Sequence, residues 1–117
     1  VIIVRYMCSI IRIFLITVEG LVRSIGVSNF RKSHLENLLS KVNVIPSVDQ
    51  IETNPQFVDE ETIQFCKDNK IIVEAWSPLG SGACLNNDEI NSIADKYHKS
   101  AAQIILRWLL QKGIVIL

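Results

Sequence analysis

Three short polar pairs sit at or just beyond apolar, β-rich runs and are the groups of this chain best suited to chemistry: Ser28-Asn29, Asp49-Gln50 and Trp76-Ser77. Hydroxyl and amide side chains donate and accept hydrogen bonds without bringing charge, and an indole offers a flat face for stacking. Such a set can hold an uncharged amide or a planar ring. None of its members is an evident proton-transfer residue, so it suits holding a bound group better than acid–base work. His34 and His98 read as residues of helix surfaces with no nucleophile or acid beside them. The cysteines Cys8, Cys66 and Cys84 show neither CxxC nor zinc-ligand spacing. They imply no metal site and no disulfide framework, and the expected compartment is the reducing cytoplasm. Cys66, among helix residues, reads as a small buried hydrophobe.

The polar pairs need a scaffold, and the chain supplies one by alternating strands with helices. Residues 21–27 read as a strand. Ser33 and Glu36 then form an S-x-x-E capping box opening a helix whose Leu35, Leu38 and Leu39 share a face. A second strand is expected over 44–51, with Pro46 at its entry, and a helix over 59–67 with Thr62, Ile63 and Cys66 spaced for burial. The run Ile71-Ile72-Val73-Glu74-Ala75 is a strand of the kind buried on both faces. Asn86 and Glu89 cap a helix whose Ile90, Ile93, Ala94 and Tyr97 fall at i, i+3, i+4 and i+7. Ser100 and Gln103 repeat the capping box for a helix through Lys112, stopped by Gly113, and 114–117 reads as a further strand. Trp108 is expected to pack between this helix and the sheet.

Strand starts about 25 residues apart indicate β/α units with parallel strands and right-handed crossovers. The fold class is α/β: a partial TIM (β/α)8 barrel of about the last four units, open rather than closed, since a complete barrel needs about 250 residues. In such barrels function gathers at the C-terminal ends of the strands, where the three polar pairs fall.

Composition narrows the function further. With 49% hydrophobic and 21% charged residues the chain is globular, and its 12 basic residues balance 12 acidic ones, which gives no surface for nucleic acid. Residues 1–18 form an atypical, strongly apolar segment set apart from 19–117. A membrane span needs about 20 apolar residues. Arg5 and Arg12 interrupt this one, and a buried segment is expected in preference to a membrane anchor.

Several runs together resemble one family. Gly26-Val27-Ser28-Asn29-Phe30, then Val48-Asp49-Gln50-Ile51-Glu52 with Asn54-Pro55, then Ala75-Trp76-Ser77-Pro78-Leu79-Gly80 are similar to successive signatures of the aldo-keto reductases. Ile93-Ala94-Asp95-Lys96-Tyr97, Lys99-Ser100-Ala101-Ala102-Gln103 and Leu106-Arg107-Trp108 follow in the family's order and spacing. The resemblance covers 19–117 and is nearest in character to bacterial reductases of small aldehydes and keto sugars. It implies NADPH as cofactor and a small-molecule carbonyl substrate. It also implies that Ser28, Asn29 and Gln50 hydrogen-bond the nicotinamide carboxamide, that Trp76 stacks beneath the ring, and that Ser77, Leu79 and Gly80 follow the pyrophosphate. Without the family, Ser28-Asn29 reads as a turn or helix entry, Gln50 as a satisfied polar group, Trp76 as core and 77–80 as an ordinary loop.

The same resemblance bounds the activity. In this family a tyrosine, tuned by a lysine and an aspartate and accompanied by a histidine, donates the proton from the first half of the barrel. Tyr6 lies in surroundings unlike that segment, and Tyr97 matches a structural helix position. No residue here is a candidate for catalysis. The chain is therefore expected to be an NAD(P)H-dependent oxidoreductase by descent, inactive alone, with a non-catalytic nucleotide-binding or interaction fragment as the alternative. Exposed sheet edges are expected to favour self-association.

Overall fold

The computed structural model describes residues 2–4 and 19–117. The expectations for Tyr6, Cys8 and most of the apolar segment lie outside the described residues. Among the described residues five strands, β1 (Ile2–Val4), β2 (Ile25–Ser28), β3 (Val48–Glu52), β4 (Ile72–Trp76) and β5 (Val115–Ile116), follow one another in sequence order along the sheet. β1 pairs with β2, β2 with β3 and β4 with β5, all in parallel. Among the described residues four α-helices lie between the strands: α1 (Lys32–Leu39), α2 (Glu60–Asp68), α3 (Asp88–Tyr97) and α4 (Ala101–Gln111). The chain is thus the expected run of parallel β/α units. No helix among the described residues is long and apolar enough to cross a membrane.

The chain divides into two compact units, 1–51 with 60–73, and 52–59 with 74–117. In the first, β2 is buried at every residue, as a strand covered on both faces must be. Its Ile25 and Val27 belong to a core with Leu35 and Leu38 of α1, Cys66 of α2, and Ile71. Along β3, Asp49 and Ile51 take the buried positions while Val48, Gln50 and Glu52 are partly exposed. Thr62, fully buried, accepts the Lys32 N–H at 3.0 Å and ties the start of α1 to α2. The Lys32 ammonium also donates to Glu61 Oε1 at 2.7 Å. That hydrogen bond and the charge of Glu61 raise the Lys32 pKa above its ordinary value. The pair is exposed, and such pairs contribute little to stability.

In the second unit α3 and α4 pack on each other and α4 packs on β5, around Ala94, Ile105, Leu109 and Ile114. Ser100 Oγ accepts the Gln103 N–H at 3.2 Å while Gln103 Oε1 accepts the Ser100 N–H at 2.9 Å, the reciprocal box expected there. Gly113 adopts φ 75° just beyond the C-cap of α4, the conformation that stops a helix.

Several local expectations need correction. Ser33 lies inside α1; the helix begins after Arg31, whose N–H donates to His34 Nδ1 at 3.2 Å. The cap of α3 is Asn87, whose Oδ1 accepts the Ile90 N–H at 3.0 Å. His98 is the left-handed C-cap of α3 at φ 52° rather than a residue of its surface. The apolar stripe of α3 is fully buried only at Ala94 and half-buried at Ile90: Ile93 is 45% and Tyr97 60% exposed. With Ile104 and Trp108 they line a groove of about 650 Å³ between α3 and α4. Trp108 is therefore a groove residue, its ring under the Lys112 ammonium at 5.3 Å, while Ile105 and Leu109 are the residues of α4 that are fully buried.

These contrasts set an order of stabilities. Ser100→Ala should lower the unfolding free energy by about 1 kcal/mol, and Leu109→Ala by ~2–5 kcal/mol. Ile93→Ala, at a half-exposed site, should cost less than ~1 kcal/mol. Urea midpoints at constant m-value check the order.

Candidate functional site

In the first unit the strand ends build a small polar cluster. β2 ends at Ser28, which is in register with Gln50 of β3. The chain leaves the strand through Asn29, a non-glycine residue at φ 59°. Asparagine is among the side chains that tolerate this left-handed region best. Its N–H donates to the Gln50 carbonyl at 2.9 Å, and Ser28 Oγ donates to the same carbonyl at 3.0 Å. One oxygen of β3 therefore receives both donors of the turn. The next N–H, that of Phe30, donates to Asp49 Oδ1 at 3.4 Å, and the Cys66 thiol lies 4.0 Å from Asp49 Oδ2. Ser28 and Asp49 are buried, Gln50 is half-buried, and Asn29 is exposed. A carboxylate with no exposure must be hydrogen-bonded to be tolerated, and Asp49 meets this by receiving the turn that follows β2.

In the second unit the cluster forms around the end of β4. Trp76 is half-buried, and its carbonyl accepts the Thr53 N–H at 3.4 Å. Ser77 follows at φ 52°, again left-handed immediately after a strand. Its carbonyl accepts the Gly80 N–H at 2.9 Å and Asn54 Nδ2 at 3.3 Å. Gly80, Ser81 and Gly82 continue with φ of 59°, 53° and 91°. Leu79 accepts the Gly82 N–H at 3.0 Å, and the hydroxyls of Ser77 and Ser81 lie 3.4 Å apart. Glycine at 80 has a steric cause. A Cβ there would meet Cys84 Sγ at 2.8 Å, closer than such contacts occur. A run of left-handed residues turns successive amides in directions that extended or helical backbone cannot, as phosphate-binding loops require.

The sequence-derived candidates are thus found as two groups, one in each unit. Ser28, Asn29 and Gln50 are joined through a single carbonyl, and Trp76, Ser77, Leu79 and Gly80 lie along one loop. Two residues carry more of the geometry than their sequence context indicated. Asp49, read there as part of the polar rim, is buried beneath it. The two-residue period of β3, which places Asp49 on the same side as Ile51, is the signal that could have shown this. Asn54, noted only as part of a motif, is 2% exposed and spans the second cluster. An Asn-Pro pair after a strand is a turn signal, but the long-range partners of its side chain are not legible in sequence. Among the described residues no group of three or more histidine, cysteine, aspartate or glutamate side chains is arranged to hold a metal ion.

Comparison with known proteins places this geometry. The family model described as "Aldo/keto reductase family" matches residues 15–117. Glyoxal reductase of Bacillus subtilis is 47% identical over 97 residues, covering 83% of this chain and 35% of that reductase. The chain thus spans about a third of the length of the curated relatives it matches. Among solved structures, an aldo/keto reductase from Brucella melitensis superposes with a TM-score of 0.82 at 45% identity, over 90% of this chain and 40% of that one. An aldo-keto reductase crystallised in complex with NADPH superposes with a TM-score of 0.79 at 35% identity, over 88% of this chain and 35% of that one.

The loop after β4 allows a direct comparison of two glycines. Gly82 has open space around its Cβ position, so Gly82→Ala should cost only the backbone strain, roughly 1–2 kcal/mol. Gly80→Ala should cost more, and adding Cys84→Ala should recover part of the difference. Equal midpoints for the two alanine variants in denaturant would contradict this account.

Proposed function

The chain belongs to the aldo/keto reductase family, and from that premise we propose that it contributes the later half of a (β/α)8 barrel that reduces small aldehydes or ketones to alcohols with NADPH. The observation that carries the proposal is the paired design of the strand ends: uncharged amide and hydroxyl groups after β2, and an indole followed by a left-handed, glycine-containing loop after β4. NADPH, when bound, supplies the hydride. Asn29 and Gln50 offer their amides to the carboxamide of the nicotinamide. Ser28 has committed its hydroxyl proton to the Gln50 carbonyl, so it serves as an acceptor and holds the turn in place. Trp76 stacks on the ring, and Ser77, Leu79 and Gly80 lie along the pyrophosphate. Neutral groups suit the ring because they orient it without placing charge beside the reacting carbon. The NADPH complex of a structural neighbour supports the choice of cofactor.

Residues 19–117 form the barrel portion on this reading, and Ile2–Val4 of the apolar segment 1–18 add strand β1 beside β2. The protein works in the cytoplasm, on a small carbonyl substrate, without nucleic acid or membrane as a partner. Tyr97 lies on α3 and lines the groove with Ile93 and Trp108. It is the only tyrosine among the described residues, and none of them is assigned the catalytic proton. A second reading for the isolated chain is a nucleotide-binding fragment without turnover. Self-association through the sheet edges belongs to the same proposal.

Titration of the chain with NADPH should quench tryptophan fluorescence saturably, and Trp76→Phe should abolish the quenching while Trp108 still reports a folded chain. A folded wild-type chain that gives no quenching overturns the cofactor reading. Light scattering after size exclusion should show a dimer or larger species; a monomer at all concentrations removes the edge-pairing proposal.

A further inference from the structure

We infer that Asn54 is the positioning residue of the loop after β4, a buried side-chain amide that sets the direction of the Ser77 carbonyl and through it the backbone laid along the cofactor. The link to the cofactor rests on the proposed function; the hold on the Ser77 carbonyl stands on geometry alone. Asn54 Oδ1 accepts the N–H groups of Gln56 at 3.0 Å and Phe57 at 3.1 Å, and the Cys84 thiol lies 3.7 Å away. Its Nδ2 donates to the Ser77 carbonyl at 3.3 Å and to Glu52 Oε1 at 3.4 Å. The two backbone N–H donors facing Oδ1 determine which way the amide is turned. One side chain, 2% exposed, thereby holds its own turn, the end of β3, the loop after β4 and the cysteine packed against Gly80.

The need for such a device follows from Ser77. Serine at φ 52° is held in a region that L-residues enter at a cost, and such residues persist where their surroundings over-determine them. The orientation of the Ser77 carbonyl is fixed by the peptide leading to Pro78. The Gly80 N–H and Asn54 Nδ2 both point to that carbonyl. The Gly80 N–H belongs to the loop and moves with it; the Asn54 amide is anchored elsewhere, in the turn formed with Phe57 by the mutual backbone bonds of 3.0 and 2.9 Å. Asn54 is therefore the external reference against which the loop is set. An aspartate at this position keeps the acceptor for Gln56 and Phe57 but turns an oxygen toward the Ser77 carbonyl, separating the role in the local turn from the role in the loop.

The test is amide hydrogen exchange by NMR on the full chain, wild type and Asn54→Asp, with NADPH titration alongside. In the wild type at least one Asn54 Nδ2 proton should exchange about tenfold more slowly than those of exposed Asn43. In Asn54→Asp the Gly80 amide should lose about tenfold in protection while Leu109 in α4 keeps its own. Wild-type Asn54 side-chain protons exchanging as fast as those of Asn43 overturn the inference, and this measurement requires no variant to fold. So does Gly80 protection that is unchanged, or that falls only in step with Leu109. NADPH affinity should fall about tenfold in Asn54→Asp; equal affinity in both chains overturns the link to the cofactor. Absence of NADPH binding by the wild type instead overturns the proposed function and leaves the loop assignment to the exchange data.

Discussion

Two strands of this chain leave the sheet through a single left-handed residue that is not glycine, Asn29 after β2 and Ser77 after β4, and most of the local architecture serves to hold those two residues in place. A parallel strand must turn sharply at its C-terminal end so that the chain can cross over to the next strand. A left-handed residue achieves this in one step, at a steric cost of roughly 1–2 kcal/mol for an L-residue. Each turn is accordingly tied to a buried polar side chain that comes from β3 or just beyond it. Asp49 receives the Phe30 N–H that follows Asn29, and Asn54 donates to the carbonyl of Ser77 itself.

The two supports differ in chemistry because their tasks differ. The turn after β2 presents the Phe30 N–H inward, and a carboxyl oxygen of Asp49 accepts it. The loop after β4 presents a carbonyl inward while the Asn54 turn presents N–H groups, and a primary amide donates to the one and accepts from the other, which a carboxylate cannot do. Burial gives both arrangements their force, since an unmet polar group away from water costs about 1–3 kcal/mol. Thr53, next to Asn54, shows the exception: its hydroxyl is buried with no hydrogen-bond partner among the described residues.

Physical separation of support from surface also explains the neutral character of the rim. The carboxyl group of Asp49 lies beneath it, buried, while Ser28, Asn29 and Gln50 carry amide and hydroxyl groups. The loop after β4 works with backbone rather than side chains, so its requirements are conformational: a Cβ at Gly80 would crowd Cys84, and Ser81 and Gly82 after it share its positive φ.

The sequence by itself determined the alternation of strands and helices, the capping box at Ser100, the burial of Leu35, Leu38 and Cys66, and the family to which 19–117 belongs. These follow from patterns within a few residues, namely hydrophobic period, capping chemistry and turn residues, or from motifs whose order is written in the chain. Tertiary structure decided the rest. Ser33 looks like a helix cap by spacing, yet α1 starts at Lys32, where Thr62 from α2 takes its N–H. Ile93 and Tyr97 have the spacing of core residues but face a groove, because a helical stripe is buried only where another element covers it. Asp49 and Asn54 acquire their roles from partners 17 to 30 residues away, contacts that only the folded chain brings within hydrogen-bonding distance.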